Sequence, residues 1–143
     1  MKRIYLDNCC YNRPFDDQTQ IRIQLETLAK LQIQRDVRAD KYELVWSYVL
    51  DYENSMNPFE EKKQAIEPWR NIAKINVSEN KRIIEKAEEL EKEGLKAFDA
   101  LHIAAALSAK CEYFLTTDKK LINHEVKGIC VMNPITFISE QED

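Results

Sequence analysis

FDALHIAAALSAKCEYFLTTD, residues 98–118, is the stretch on which the fold turns. Residues 98–110 are so rich in alanine and apolar side chains that they form a helix buried on most sides, its small residues allowing close approach to a sheet. CEYFLTTD then gives a short apolar strand that closes on a carboxylate, Asp118. A buried helix feeding a short buried strand is half of a βαβ unit, the building block of a parallel sheet.

Outward from this unit, the same alternation continues in both directions. RIYL (3–6) is a first strand, closing at Asp7; ELVW (43–46), KINV (74–77) and ICVM (129–132) are further short strands. From Asp17 onward Ile21, Leu25 and Leu28 recur at helical spacing and give one apolar face to a helix ending near Gln34. Ser47 stands at an N-cap position ahead of Val49, Leu50, Glu53 and Met56, on a helix that stops before Asn57-Pro58. Pro58 opens the next helix, Pro68 breaks it, and Trp69 packs at the break. Ser78 caps a charged helix with Ile83, Ile84, Ala87 and Leu90 on its apolar side and Gly94 at its end, its Glu and Lys residues forming a solvated face. Asn133-Pro134 caps and opens a terminal helix. The expected fold is α/β, a three-layer α/β/α sandwich around a short parallel sheet of four to five strands, with residues 1–143 as a single domain.

Composition agrees. With 143 residues, 44% hydrophobic, 32% charged and only 2 Gly, the chain is long enough to enclose a core and is neither disordered nor fibrous. No apolar run approaches the roughly 20 residues of a membrane span, and the amino terminus lacks a signal-peptide core. A cytoplasmic protein without a membrane partner is expected. Cys9, Cys10, Cys111 and Cys130 form no C-x-x-C pair and read as reduced, mostly buried side chains. The net charge of -4 advertises no nucleic-acid partner globally, so any basic patch is local.

The chemistry lies in the acids. If the sheet is parallel, Asp7 and Asp118 emerge together at its carboxyl edge, where α/β sheets bind ligands. Glu53, two turns beyond the second strand, and Asp99, in the first turn of the alanine-rich helix, are placed to lean over the same edge. Taken singly, each is explained as a cap or a solvated side chain. Together they repel, by about 4 kcal/mol for two charges 4 Å apart at an effective dielectric near 20, unless a cation sits among them. An all-oxygen site suits Mg²⁺ or Mn²⁺, as one ion or two, completed by waters and substrate phosphate. Such a site hydrolyses a phosphodiester without a protein nucleophile. None is evident: the chain has no G-x-S-x-G and no glycine-rich phosphate loop.

LDNCCYNRP (6–14), WSYVLDYEN (46–54), FDALHIAAA (98–106) and YFLTTDKKL (113–121), in this order, resemble the PIN-domain family of metal-dependent ribonucleases, which includes toxins of prokaryotic toxin-antitoxin pairs. The resemblance implies a parallel sheet between helices. It places the family's acids on Asp7, Glu53, Asp99 and Asp118 as metal-holding catalytic residues, and its polar helper on Thr116. It also implies an RNA substrate and, in the toxin branch, an antitoxin partner and a homodimer. Two positions depart from the family pattern. Cys9 stands where Asn or Ser is common, with Asn8 or Asn12 to supply the polar group, and Lys120 replaces a frequent further acid. Asp51 points roughly 200° around the helix from Glu53.

Arg13, Lys119, Lys120 and Asn12 are candidate contacts to substrate, weighed against plain surface solvation. Asp16 and Asp17 are expected to cap the following helix, and His102 to be a packed, hydrogen-bonded core side chain. The alternatives left open are a PIN module that has lost turnover but binds RNA or protein, and an aspartyl-phosphate-type phosphatase. The second usually needs another Asp where Cys9 stands.

Overall fold

Strands apolar on both faces need a helical layer on each side, and that is how RIYL and ELVW are used. In the computed structural model, which describes residues 1–141, they form β1 (Lys2–Leu6) and β2 (Tyr42–Ser47), joined by β3 (Ile75–Val77), β4 (Tyr113–Leu115) and β5 (Cys130–Met132). The order is β3-β2-β1-β4-β5, with every pairing parallel. The expected three-layer α/β/α architecture is the one observed.

The helices are α1 (Asn8–Asn12), α2 (Ile21–Arg38), α3 (Tyr48–Ser55), α4 (Glu60–Ile66), α5 (Trp69–Ile72), α6 (Lys81–Lys92), α7 (Ala97–Ser108), α8 (Lys119–Ile122) and α9 (Pro134–Gln141). Building outward from β1 to β3 and then returning to β4, right-handed crossovers put α2 on one face of the sheet and α6 and α7 on the other. α9 packs on α2, and α6 along α7. In α7, Ala100, Ile103, Ala104, Ala105 and Ala106 are all buried, so alanine does what its size permits. No helix among the described residues is long and apolar enough to cross a membrane.

The connectivity reverses between β1 and β4, and the crevice beyond their carboxyl ends is where open α/β sheets take ligands. The Asp7 amide donates to the Leu115 carbonyl at 2.9 Å. That bond carries the pairing one residue past the strands, so the residues after β1 and β4 leave the sheet side by side.

Several local expectations are corrected. The stripe Ile21, Leu25 and Leu28 is the solvent face of α2, 73%, 48% and 57% exposed; Ala29, Ile33 and Val37 face the core, together with Glu26, Thr27, Lys30 and Gln34. Apolar spacing marks a stripe but not its direction, and here the inner face also takes polar residues, among them Glu26 with its arginine partners. The helix also continues four residues past Gln34, to Arg38. Asn80, not Ser78, caps α6 by accepting from the Ile83 amide at 3.0 Å, and Ile84 stays partly exposed. Gly94, at φ +112, ends that helix in a left-handed conformation natural to glycine. α4 starts at Glu60 rather than Pro58, because the Asn57 side chain turns the backbone over the proline, accepting from the Phe59 amide at 3.1 Å. β4 ends at Leu115, and Asp118 caps α8 instead of closing the strand. Asp17 turns onto Thr19, Asp16 pairs with Arg13, and Gln20 occupies the cap position of α2. Cys10 and Cys111 are buried, Cys9 is half-buried and Cys130 exposed; burial pushes the Cys111 thiol up to about 12.

Candidate active site

Asp7 leaves β1 as the N-cap of α1 and is held at both carboxylate oxygens. Oδ1 accepts from the Asn8 amide at 2.8 Å, and Oδ2 from the Thr116 hydroxyl at 2.8 Å. Thr116 is fully buried, and its oxygen accepts in turn from the Asp118 amide at 3.2 Å. One hydroxyl therefore couples the acid after β1 to the loop after β4. Cys9 Sγ packs into the same corner, 3.5 Å from both Asp7 Oδ2 and Thr116 Oγ1, and accepts from the Thr117 amide at 3.4 Å. Asp118 Oδ1 accepts from the Lys120 amide at 2.9 Å.

Asp99 enters from the first turn of α7. Among the described residues its half-buried carboxylate has no hydrogen-bond or ion-pair partner. Burial, then repulsion from Asp7 and Asp118, push its pKa up to about 6 against the pull of His102 and Lys96. Glu53 reaches the group from α3, bonded through Oε1 to Nε2 of His102. The same Nε2 lies 3.8 Å from Asp7 Oδ1. His102 is buried, and its Nδ1 meets the Tyr5 hydroxyl at 2.6 Å, which meets Ser47 Oγ at 2.6 Å. Burial lowers the basicity of His102, but Glu53, Asp7 and Asp99 together raise it above the ordinary value.

From four separate segments, Glu53 and Asp7 approach the same nitrogen of His102, and Asp7 and Asp118 act on Asp99 through space. Among the described residues no three His, Cys, Asp or Glu groups stand close enough to cage an ion as they are. The donor chemistry fits a hard divalent cation: the groups are carboxylate oxygens, and the unpartnered Asp99 carries a like-charge penalty that such an ion relieves.

Two openings lead to these acids. A recess of about 90 Å³ is lined by Asp99, Asp118, Lys120 and His124, the last without any signal in the sequence. A wider one of about 360 Å³ is lined by Asn8, Asn12, Asp16, Glu53, Phe59 and Lys62. Asn12 donates to the Asn8 carbonyl at 3.1 Å, and Lys119 is exposed at the start of α8. Asp51 faces away, accepting from Trp46 Nε1 at 2.8 Å and pairing with Arg70 at 3.3 Å.

Arg13, a candidate substrate contact, has its charge engaged within the fold. Its Nε donates to Glu26 at 2.9 Å and its Nη1 to Asp16 at 2.9 Å. Glu26 was not singled out from sequence, yet its fully buried carboxylate also accepts from Arg22 Nε at 3.1 Å and Asn133 Nδ2 at 2.5 Å. The Arg22/Glu26 spacing of one helical turn was the only local hint.

A family model of the PIN domain matches residues 4–127. No curated protein matches the chain. Among solved structures, the fold is similar to that of VapBC2 from Rickettsia felis bound to a DNA fragment from its promoter. The TM-score is 0.57 and the identity 13%, over 92% of this chain and 98% of that one.

Proposed function

The chain belongs to the PIN-domain family, and from that membership we propose that it is an endoribonuclease, hydrolysing RNA phosphodiesters with Mg²⁺ or Mn²⁺ at the crevice beyond β1 and β4. The supporting observation is Asp99, a half-buried carboxylate without a partner among the described residues, destabilised first by burial and then by Asp7 and Asp118. Asp7 and Asp118 have capping roles, but the burial and repulsion borne by Asp99 are relieved by nothing within the described residues and favour a bound cation.

In this reading Asp7, Asp99 and Asp118 would hold the ion directly or through water, and Glu53 would hold one of its waters. When bound, the ion supplies positive charge for the scissile phosphate and lowers the pKa of an attacking water. Thr116 and the Asn8 amide keep the Asp7 carboxylate in one orientation, and Thr116 keeps the Asp118 loop against it. Lys120, Lys119 and Asn12, at or near the openings, are assigned to the RNA backbone. The likeness to VapBC2 supports placing the chain as the toxin of a toxin-antitoxin pair, with an antitoxin as partner.

The test is cleavage of a single-stranded RNA with added Mn²⁺, with chelator, and by Asp7→Asn, Asp99→Asn and Asp118→Asn. Cleavage by the wild type with Mn²⁺ alone is expected; equal cleavage in every arm would sink the mechanism. The second reading, an RNA-binding module without turnover, draws on Lys120 at the recess and on the lack of a ready-made cage among the described residues. RNA binding retained without Mn²⁺ binding at millimolar concentration would favour it.

A further inference from the structure

Glu53 sits on the surface of α3, a long acidic side chain that without a partner samples several rotamers. His102 removes that freedom. Its ring is 1% exposed, so no solvent competes for either nitrogen. An ionised carboxylate offers only acceptors, so Nε2 carries a hydrogen toward Glu53 whether the ring is neutral or charged. Nδ1 meets a hydroxyl, which donates or accepts as required. The contact to Glu53 therefore survives either protonation state.

The ring is itself held from behind. Tyr5 lies edge-on to it, with centroids 5.6 Å apart, and stacks on Phe114 at 5.3 Å. The Tyr5 hydroxyl meets Ser47 Oγ, which caps α3 by accepting from the Leu50 amide at 3.5 Å. The path runs from the start of α3 through β1 and α7 and back to Glu53 on α3. It closes on the helix where it began.

We propose that His102, backed by Tyr5 and Ser47, is the positioning residue for Glu53, holding one carboxylate oxygen so that the other is presented beside Asp7 to a water of the bound cation. The assignment rests on the reading of the four acids as a metal site. Hydrogen-bonding partners behind a metal ligand typically change affinity 10–100-fold when removed.

The experiment measures Mn²⁺ affinity by calorimetry for the wild type, His102→Leu, His102→Gln, Glu53→Gln and the His102→Leu/Glu53→Gln double variant, each checked for folding by its thermal transition. His102→Leu is expected to weaken binding about 10–100-fold. His102→Gln, which keeps an N–H donor, recovers part of that loss, and the double variant binds no more weakly than Glu53→Gln alone. Wild-type affinity in His102→Leu, or losses that multiply in the double variant, would overturn the role.

An NMR measurement on the metal-free protein separates this proposal from the metal-site reading. The His102 ring should carry its proton on Nε2, with a resonance that moves in Glu53→Gln. An unprotonated Nε2 overturns the positioning role even where Mn²⁺ binds. A protonated Nε2 that responds to Glu53, in a protein that binds no Mn²⁺, upholds the clamp and overturns the metal site alone.

Discussion

At the scale of single residues, Asp99 and Lys30 are held away from their ordinary pKa values, with opposite signs. Asp99 titrates at about 6 in the folded protein against 3.8 ordinarily. Between these values the unfolded chain loses its proton while the folded one keeps it, so stability falls as pH rises through this window. Asp99→Asn removes the penalty. Without metal it should raise the melting temperature near neutral pH by a few degrees, roughly 1 kcal/mol after discounting for the screening of a half-exposed group, and change nothing below pH ~4. Calorimetric melts at the two pH values check this. Lys30 is the converse case. Buried over the Tyr11 ring at 5.8 Å, it is lowered by burial from 10.5 to about 8. Its charged form burdens the folded state in full below about 8, and the burden lifts as pH rises toward 10.5. Lys30→Met should therefore stabilise the protein at neutral pH by on the order of 2–3 kcal/mol in urea titrations, the gain shrinking near pH ~10.

At the scale of elements, α2 shows that a hydrophobic stripe need not be a core. Leu28 is 57% exposed and Ile33 fully buried on the same helix. Leu28→Gln should change stability by less than about 0.5 kcal/mol, whereas Ile33→Ala should cost about 2–5 kcal/mol. Chemical denaturation of the two variants measures the helix phase directly, and equal losses would contradict it. α7 uses its two ends differently: alanines bring its body against the sheet, while its first turns deliver Asp99 and His102 to the crevice. One short helix thus combines close packing with two ionisable side chains at the crevice.

Across the whole molecule, Glu26 joins segments that the chain order keeps apart. Its carboxylate holds Arg13 after α1, Arg22 on α2 and Asn133 ahead of α9, and Arg22 Nη2 donates onward to the Thr117 carbonyl at 3.1 Å. The loop that carries Thr116 and Asp118 is therefore braced by α2 through Arg22. Glu26→Gln leaves Arg13 its pair with Asp16 and Arg22 its access to solvent, and weakens the buried hydrogen bonds, so it should cost about 1–3 kcal/mol. Urea unfolding reads that loss, and hydrogen exchange should show faster opening of residues 116–118 before other parts of the sheet edge.

Sequence alone determined the parallel α/β layering, because strand and helix periodicities are local and Asp7 and Asp118 follow runs that must be buried. Asp7 and Asp118, following β1 and β4, were placeable at one edge of the sheet for the same reason. Tertiary structure decided the rest. Arg13 looked like a free cation until α2 brought Glu26 against it, and the inward side of α2 depended on partners elsewhere in the chain. His102 was legible as a hydrogen-bonded core side chain, but not as the partner of Glu53, 49 residues away. Contacts of that kind are set by how crossovers bring elements together, and no local period encodes them.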